Sequence, residues 1–504
     1  MKVVIKVLSR VNVQVLGLKP EHAEILYKRF EVEHPTAKFT PKYQLGLWDG
    51  KIRFWHKDGK TSVMFLEQAL PDIIEWGYEI DVESNIVPSP FKIKEDLTVI
   101  DENFLKERNI KWPNGEYVIP YEHQIRVVNA LLSSPYGVAD AATGAGKSLI
   151  CAIIAKIMNE SDIPTLIIVP SIDLVKQTTK DLSGFGVDAG QYGDGIKDIE
   201  HDTIISTWQT LQNDKNFTNK FGCIIVDETH MDKHGSQISD ILENYSKNVN
   251  YVYGVTGTIP KEELDRLNLL RTIGGPVRIS VTAKELMEAG VLATLKIDMY
   301  EVDEDLSIQY GTYLEENDDD TPLSYRNFKK ECFHDFKAQR DYIISCKSRN
   351  KMIAEHIKKH ADRGENVFVL VPSIAMGNNI QKEIEDSVFL YGKHSADERK
   401  ERYEQYAHND GLITIANVAI ASTGLNIPRI HRLVMIDIGK GFTRVIQSIG
   451  RSLRIADDKK EAFVDDIYTD LPSGRKHATT RRKYYKEAHY NFERHKLAYK
   501  NGDD

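Results

Sequence analysis

The sequence predicts an α/β chain in which two tandem lobes, each built on a parallel sheet, follow a small α+β amino-terminal module. Three observations carry that expectation. Between residue 121 and about residue 276, short continuous apolar runs such as 165–169 and 223–226 alternate with stretches of helical periodicity, the pattern of strands covered on both faces by crossover helices. A second series of the same kind begins after Asn350. The chain has 504 residues and is 41% hydrophobic, too long for one ordinary core and apolar enough for two or three.

In the leading module, residues 3–7 and 11–15 alternate apolar and polar side chains as two strands, and 21–30 carries apolar residues at helical spacing. Asp49-Gly50 is a hairpin signal between aromatic and basic strand residues. In that stretch Lys38, Lys42, Lys51, Arg53, Lys57 and Lys60 outnumber Asp49 and Asp58, so Lys51 and Arg53 are expected to face a phosphate backbone. Trp48 and Trp55 read as core packing of a tiny domain in preference to base stacking. Val87-Pro88-Ser89-Pro90 ends the module as an extended linker.

In the first lobe, a strand over 136–142 enters a Gly-rich turn followed by a helix over 147–159. In the second, helices over 351–360, 376–384, 396–408 and 444–453 are interleaved with strands over 366–371, 388–391, 412–417 and 431–436. The expected division is an accessory domain at 1–95, a first lobe at 96–293, a connecting segment at 294–345, a second lobe at 346–470 and a basic aromatic tail at 471–504. The acidic run 315–320 reads as a solvated loop. In the tail, Arg475, Lys476, Arg481, Arg482, Lys483 and Lys486 mix with Tyr484, Tyr485, Tyr490 and Phe492. Either a packed amphipathic helix or a phosphate contact accounts for that mixture.

The net charge of −9 excludes a protein coated in positive charge, while leaving local basic patches open. Four cysteines, Cys151, Cys223, Cys332 and Cys346, show no Cys-x-x-Cys spacing, which excludes a zinc ribbon or a disulfide framework and fits a reducing cytoplasm. The start of the chain lacks a signal-peptide core, and no stretch approaches the ~20 apolar residues of a membrane span, so a soluble protein without a membrane partner is expected.

The chemistry concentrates in a few islands. A phosphate loop needs glycines that let backbone N–H groups point at anionic oxygens, with a helix N-terminus behind them. Thr143, Gly144, Ala145 and Gly146 supply such a turn, although Ala141 stands where the strict pattern has Gly. Lys147 is placed to reach the β- and γ-phosphates of ATP, and Ser148 to hold Mg²⁺. Asp227 and Glu228 end an apolar strand, where open α/β sheets place ligands. Asp227 would coordinate the metal and Glu228 would deprotonate the attacking water. The bland alternative for this pair is a turn or a helix cap. Gln447, Arg451 and Arg454 form a complementary island whose guanidinium groups can neutralise charge developing on the γ-phosphoryl group; surface ion pairs are their bland alternative.

In order, the chain shows Tyr121-Glu-His-Gln124, the phosphate loop, Val169-Pro170-Ser171, Ser206-Thr207-Trp-Gln209, Asp227-Glu-Thr-His230, Thr256-Gly257-Thr258, Val371-Pro372-Ser373, Thr423-Gly424-Leu425-Asn426 and Gln447-x-x-Gly-Arg-x-x-Arg454. This series resembles superfamily 2 helicases of the DExH kind across residues 121–454, and the resemblance implies two tandem RecA-like lobes. It also implies that Gln124 reads the adenine edge beside Tyr121, and that Gly424 and Asn426 lie at the nucleotide. Asn426 stands where many members carry Asp. His230, Thr256 and Thr258 would couple hydrolysis to strand grip. Pro170, Ser171, Thr207, Gln209, Pro372, Ser373 and Thr423 would contact a nucleic-acid backbone, and Arg454 would be the arginine finger.

The stretch 39–53, with Phe39-Thr-Pro-Lys-Tyr and Gly46-Leu-Trp48-Asp49-Gly50-Lys51-Ile-Arg53, resembles the leading domain of the UvsW-type phage recombination helicases, as does 285–293. That resemblance implies an ATP- and Mg²⁺-dependent DNA helicase that remodels branched DNA by branch migration, fork regression and D-loop or R-loop unwinding. Phage recombination and replication proteins would be its partners, in the host cytoplasm. An RNA helicase, a restriction-system motor subunit and a nucleic-acid-binding protein with a vestigial ATPase are the competing readings.

Overall fold

The computed structural model describes residues 1–84, 91–228, 236–242, 248–260, 262–316, 321–331, 335–418, 429–439, 459, 461–488 and 490–501. The expected linker at 87–90 lies outside them, as do most of the acidic run and the helix expected at 444–453. The chain divides into two units, Met1–Val281 and Thr282–Asp504.

The amino-terminal strands form as expected. β1 (Lys2–Val7) pairs antiparallel with β2 (Asn12–Leu16), and both turn alternate apolar residues onto a helix, Val63–Glu75, whose Met64, Phe65, Leu66, Ala69 and Ile73 are buried. The expected hairpin at Asp49-Gly50 does not form. β3 (Glu31–Glu33) pairs with β4 (Lys51–Arg53), and the residues ahead of Asp49 include a short helix, Pro41–Gln44. The physical reason is local: Pro41 supplies a helical φ at the first position, and Thr40 Oγ1 accepts the Tyr43 amide as a cap. β5 (Lys60–Ser62) and β6 (Glu79–Ser84) complete a four-stranded sheet of order β5-β2-β1-β6. Trp55 is fully buried in the module's core, and Trp48 is half-buried with its indole N–H donated to Lys51 O at 2.9 Å. That core continues into Leu264, Leu267 and Leu270 of the helix Glu263–Ile273, so the module packs on the first lobe.

Eight strands make the first lobe: β7 (Tyr136–Ala141), β8 (Thr165–Val169), β9 (Ala189–Gly193), β10 (Ile196–Lys197), β11 (Thr203–Thr207), β12 (Cys223–Asp227), β13 (Tyr251–Thr256) and β14 (Val277–Val281). Their order is β10-β9-β11-β8-β12-β13-β7-β14, parallel except for the β9–β10 edge pair. β8 and β11 are buried at every position, as strands sandwiched between helices must be. β7, β12 and β13 end together at the carboxyl edge, which is where the phosphate loop and Asp227 lie.

The second unit holds a seven-stranded parallel sheet from β15 (Thr294–Asp303), β16 (Val367–Val371), β17 (Val388–Leu390), β18 (Ile413–Asn417), β19 (Arg432–Ile436), β20 (Glu461–Thr469) and β21 (Phe492–Ala498), in order β17-β18-β16-β19-β20-β15-β21. The segments expected as a connector and as a tail both enter this sheet. Ile297, Met299 and Val302 of the first are fully buried, and β21 of the second pairs with β15 from Phe492 to Ala498. Residues 282–293, expected in the first lobe, sit with the second unit. These strands were not legible because their apolar residues are interrupted by charged ones such as Glu301 in β15 and Arg494 in β21. Among the described residues, no helix is long and apolar enough to cross a membrane.

Buried arginines tie the second unit together. Arg349 is fully buried, with Nε donating to Glu304 Oε1 at 2.9 Å and Nη2 to Asp437 Oδ2 at 2.5 Å. Arg481, also fully buried, bonds both oxygens of Asp466 at 2.8 and 2.7 Å. Removing one member of such a set strands the opposite charges in a dry interior. Arg349→Ala is therefore expected to destabilise the second unit by ~3–5 kcal/mol in denaturant unfolding, whereas Lys28→Ala, whose partner Glu24 is on an exposed helix face of the first unit, should change the stability of that unit by less than ~0.5 kcal/mol.

Candidate functional site

β7 runs into a turn in which Gly144 and Gly146 take φ of +93° and +77°, a left-handed conformation that side chains resist. The turn closes when the Ala145 amide donates to Ala142 O at 3.0 Å, and Gly146 then caps the helix Lys147–Glu160. The first amides of that helix have no intrahelical acceptor and carry the positive end of its dipole. The glycine requirement is steric as well as conformational. A Cβ on Gly146 would lie 2.2 Å from Gln124 Nε2, and one on Gly257 would lie 2.9 Å from Lys147 Nζ and 3.2 Å from Thr143 Oγ1.

Gln124 is buried and braces the loop, its Oε1 accepting the Tyr121 amide at 2.9 Å and its Nε2 donating to Ala145 O at 3.1 Å. The same carbonyl lies 2.9 Å from His123 Nε2, and the Tyr121 ring stacks on the His123 ring. His123 is the residue that sequence reasoning missed. Its place within Tyr121-Glu-His-Gln124 was the available signal. Ser148 is exposed at the helix start.

Across the carboxyl edge, Lys147 Nζ donates to Glu228 Oε1 at 2.8 Å. Glu228 itself sits at φ +50°, a strained conformation for a non-glycine residue, with its amide donating to Asp227 Oδ1 at 3.0 Å. Burial, then the neighbouring Glu228 charge, push the Asp227 carboxyl well above the usual carboxylate range. Burial works against the Lys147 ammonium, but the Glu228 and Asp227 charges outweigh it and raise its pKa. Thr256 and Thr258 are buried beside this edge, Thr256 Oγ1 accepting the Thr258 amide at 3.3 Å.

The hydroxyls expected to meet a nucleic-acid backbone are N-caps. Ser171 Oγ accepts the Leu174 amide at 3.4 Å, Thr207 Oγ1 the Thr210 amide at 3.3 Å, and Ser373 Oγ the Met376 amide at 3.2 Å. Thr207 is the last residue of β11, and Ser171 and Ser373 follow β8 and β16 after one proline. Pro372 and Gln209 are exposed, and Pro170 is half-buried. Lys51 and Arg53 do not form a free cationic patch. Lys51 pairs with Glu31, Arg53 pairs with Asp49 and with Glu31 at 3.2 Å, and the Arg53 guanidinium lies 4.7 Å from the Tyr27 ring centre. The Arg53 hydrogen bond holds the Asp49 carboxyl down at about 2. His230, Thr423, Gly424, Asn426, Gln447, Arg451 and Arg454 lie outside the described residues.

These residues fit a nucleoside triphosphate: a cradle that tolerates no Cβ, a lysine at its mouth and two carboxylates facing it. A magnesium ion, if bound there, would find its protein ligands in Ser148 and Asp227. Gly146→Ala should displace the Gln124 brace and weaken binding of a fluorescent ATP analogue by at least about tenfold, ~1.4 kcal/mol, in an equilibrium titration.

Comparison with known proteins adds a family context. Residues 118–261 match the family described as type III restriction enzyme, res subunit, and residues 348–456 match the helicase conserved C-terminal domain. The ATP-dependent DNA helicase UvsW of Enterobacteria phage T4 is 25% identical over 473 residues, covering 90% of this chain and 88% of that protein. The DNA 3'-5' translocase XPB2 of Sulfurisphaera tokodaii is 25% identical over 416 residues, covering 78% of this chain and 86% of that protein. Among solved structures, S. cerevisiae Dbp5 bound to RNA and ADP BeF3 has a TM-score of 0.54 at 14% identity, over 80% of this chain and 95% of that one, a likeness of fold.

Proposed function

We propose that this chain, a superfamily 2 helicase resembling the UvsW type, spends ATP on moving along DNA and remodelling it at branch points. The observation that carries the reading is the Lys147–Glu228 contact across the carboxyl edge of the first-lobe sheet. While the pair is closed, the carboxylate is neutralised by the ammonium and is a poor base. A triphosphate in the glycine cradle attracts Lys147 to its own oxygens, and Glu228 is then free to accept a proton from an attacking water. Ser148 and Asp227 would hold a magnesium ion, which when bound would neutralise phosphate charge.

By the same reading, Gln447, Arg451 and Arg454 complete the hydrolytic site, and Gly424 and Asn426 line it. His230, Thr256 and Thr258 transmit hydrolysis to the strand grip. The grip uses the capped helix starts after Pro170, Ser171, Thr207, Pro372 and Ser373, with Gln209 and Thr423. A capping hydroxyl accepts an amide and keeps its own O–H to donate, so Ser171 and Ser373 can bind a phosphate oxygen without reading a base, whereas Thr207 Oγ1 also lies 3.1 Å from Thr210 Oγ1. Two of the relatives are named for action on DNA, which favours DNA over RNA. Branch migration, fork regression and D-loop or R-loop unwinding, in phage recombination, repair and replication, follow from the UvsW likeness.

ATPase rates measured side by side with single-stranded DNA, a four-way junction, a forked duplex and RNA test the proposal. Strongest stimulation by the junction or fork is expected. Preferential stimulation by RNA would make the chain an RNA helicase, and indifference to all four would end the motor reading.

A further inference from the structure

The carboxyl-terminal segment, read from sequence as either a packed helix or a phosphate contact, packs one face of a helix and carries cations on another. The helix Pro472–Glu487 buries Gly474, Ala478, Arg481 and Tyr485. Thr479, Arg482, Lys483 and Lys486 fall at i, i+3, i+4 and i+7 on its other side, a single face of an α-helix. Phe492 and Arg494 of β21, two residues apart and so on one face of the strand, join them around a pocket of about 420 Å³. Lys486 and Phe492 also line an adjoining pocket of about 530 Å³, with Lys284, Tyr490 and Asn491. The two make one groove whose lining holds Lys284, Arg482, Lys483, Lys486 and Arg494 and no carboxylate.

This concentration of charge stands out in a chain of net charge −9. Among the described residues, Arg482, Lys483, Lys486 and Arg494 have no ion pair with a carboxylate, and Lys284 has one, to Glu288 at 3.7 Å. Nearby cations are differently placed: Arg481 is committed to Asp466, and Arg475 to Glu301 at 3.4 Å. Arg482 Nη2 donates to Thr479 Oγ1 at 2.7 Å, while its buried Nε has no partner. Like charges one turn apart repel, so the stripe opposes helix formation unless an anion offsets it. The aromatics here are not a stacking platform, since Tyr485 and Tyr490 are buried and Phe492 is half-buried. That separates this groove from a single-strand channel, which needs exposed rings for bases.

We infer that the groove formed by the Pro472–Glu487 helix, β21 and Lys284 binds the sugar-phosphate backbone of duplex nucleic acid, as a site additional to the capped strand contacts. The inference rests on the helicase reading and names where the duplex arm of the substrate is held. Contact is through phosphate alone and therefore independent of sequence. A stripe from Thr479 to Lys486 rises ~10 Å, enough to meet two phosphates of one strand.

The test compares the full-length protein with Arg482→Gln/Lys483→Gln/Lys486→Gln, and separately with Arg494→Gln, in titrations of a blunt DNA duplex across a potassium chloride series. All four residues project from the surface of the groove, and unchanged thermal midpoints verify that the variants fold. The slope of log affinity against log salt is expected to fall by about 2–3 in the triple variant and by about 1 in Arg494→Gln, at ~0.9 per lost phosphate contact. Slopes and affinities equal to wild type would overturn the inference and leave the groove to an acidic protein surface. A wild-type protein that binds duplex not at all would overturn both the groove and the helicase reading. Wild-type binding with unaltered variants removes the groove alone.

Discussion

A lysine ammonium and a glutamate carboxylate held 2.8 Å apart at the carboxyl edge of one sheet constrain most of what surrounds them. Lys147 can reach Glu228 only if the loop before it turns through two left-handed residues, which fixes glycine at 144 and 146. The loop keeps that shape because Gln124 and His123 both hold the Ala145 carbonyl. A Cβ on Gly257 would lie 2.9 Å from Lys147 Nζ, so a side chain there would push the ammonium aside. Glu228 accepts a left-handed φ to bring its carboxylate to the lysine. Strain of this kind persists only where the surroundings over-determine it, and here β12 is fixed between β8 and β13.

The second unit is organised by a different principle. Its sheet is apolar at β16 and from Leu433 to Ile436 of β19, and ion pairs hold the elements around it: Arg349 with Glu304 and Asp437, Arg432 with Glu365 and Asp465, Arg481 with Asp466. Such sets contribute little net stability compared with apolar packing, yet each enforces one arrangement of the elements it joins. Arg481 pins the carboxyl-terminal helix through Asp466 and Ile438 O, and in doing so presents the opposite face of that helix as a row of cations. The amino-terminal module shows the reverse, with Lys51 and Arg53 absorbed by Glu31 and Asp49.

Where apolar runs are continuous the fold was legible, as at β8, β12, β16 and β19, because a strand covered on both faces has no other way to be written. The phosphate loop and Asp227-Glu228 were legible for a related reason: their chemistry needs fixed residue types at fixed spacing. What escaped were features decided by partners distant in sequence. β15 finds β20 and β21 across more than a hundred residues. Glu31 lies 20 residues from Lys51, so counting charges along 38–60 could not reveal that Lys51 is already paired. The failed hairpin at Asp49-Gly50 is a case of competing local signals, in which the Thr40 cap and Pro41 won the preceding segment for a helix. His123 was missed because a histidine inside a motif otherwise assigned to nucleotide recognition carries no spacing of its own.

Turnover and nucleotide binding by Glu228→Gln, measured together on the same protein, probe the central contact most directly. Removing the negative charge leaves the cradle and Lys147 in place while abolishing the base. ATP should bind at least as tightly as to wild type, because Lys147 no longer has an anionic partner to leave, and hydrolysis should slow by about 10²–10⁴-fold. Wild-type turnover by this variant would contradict the account.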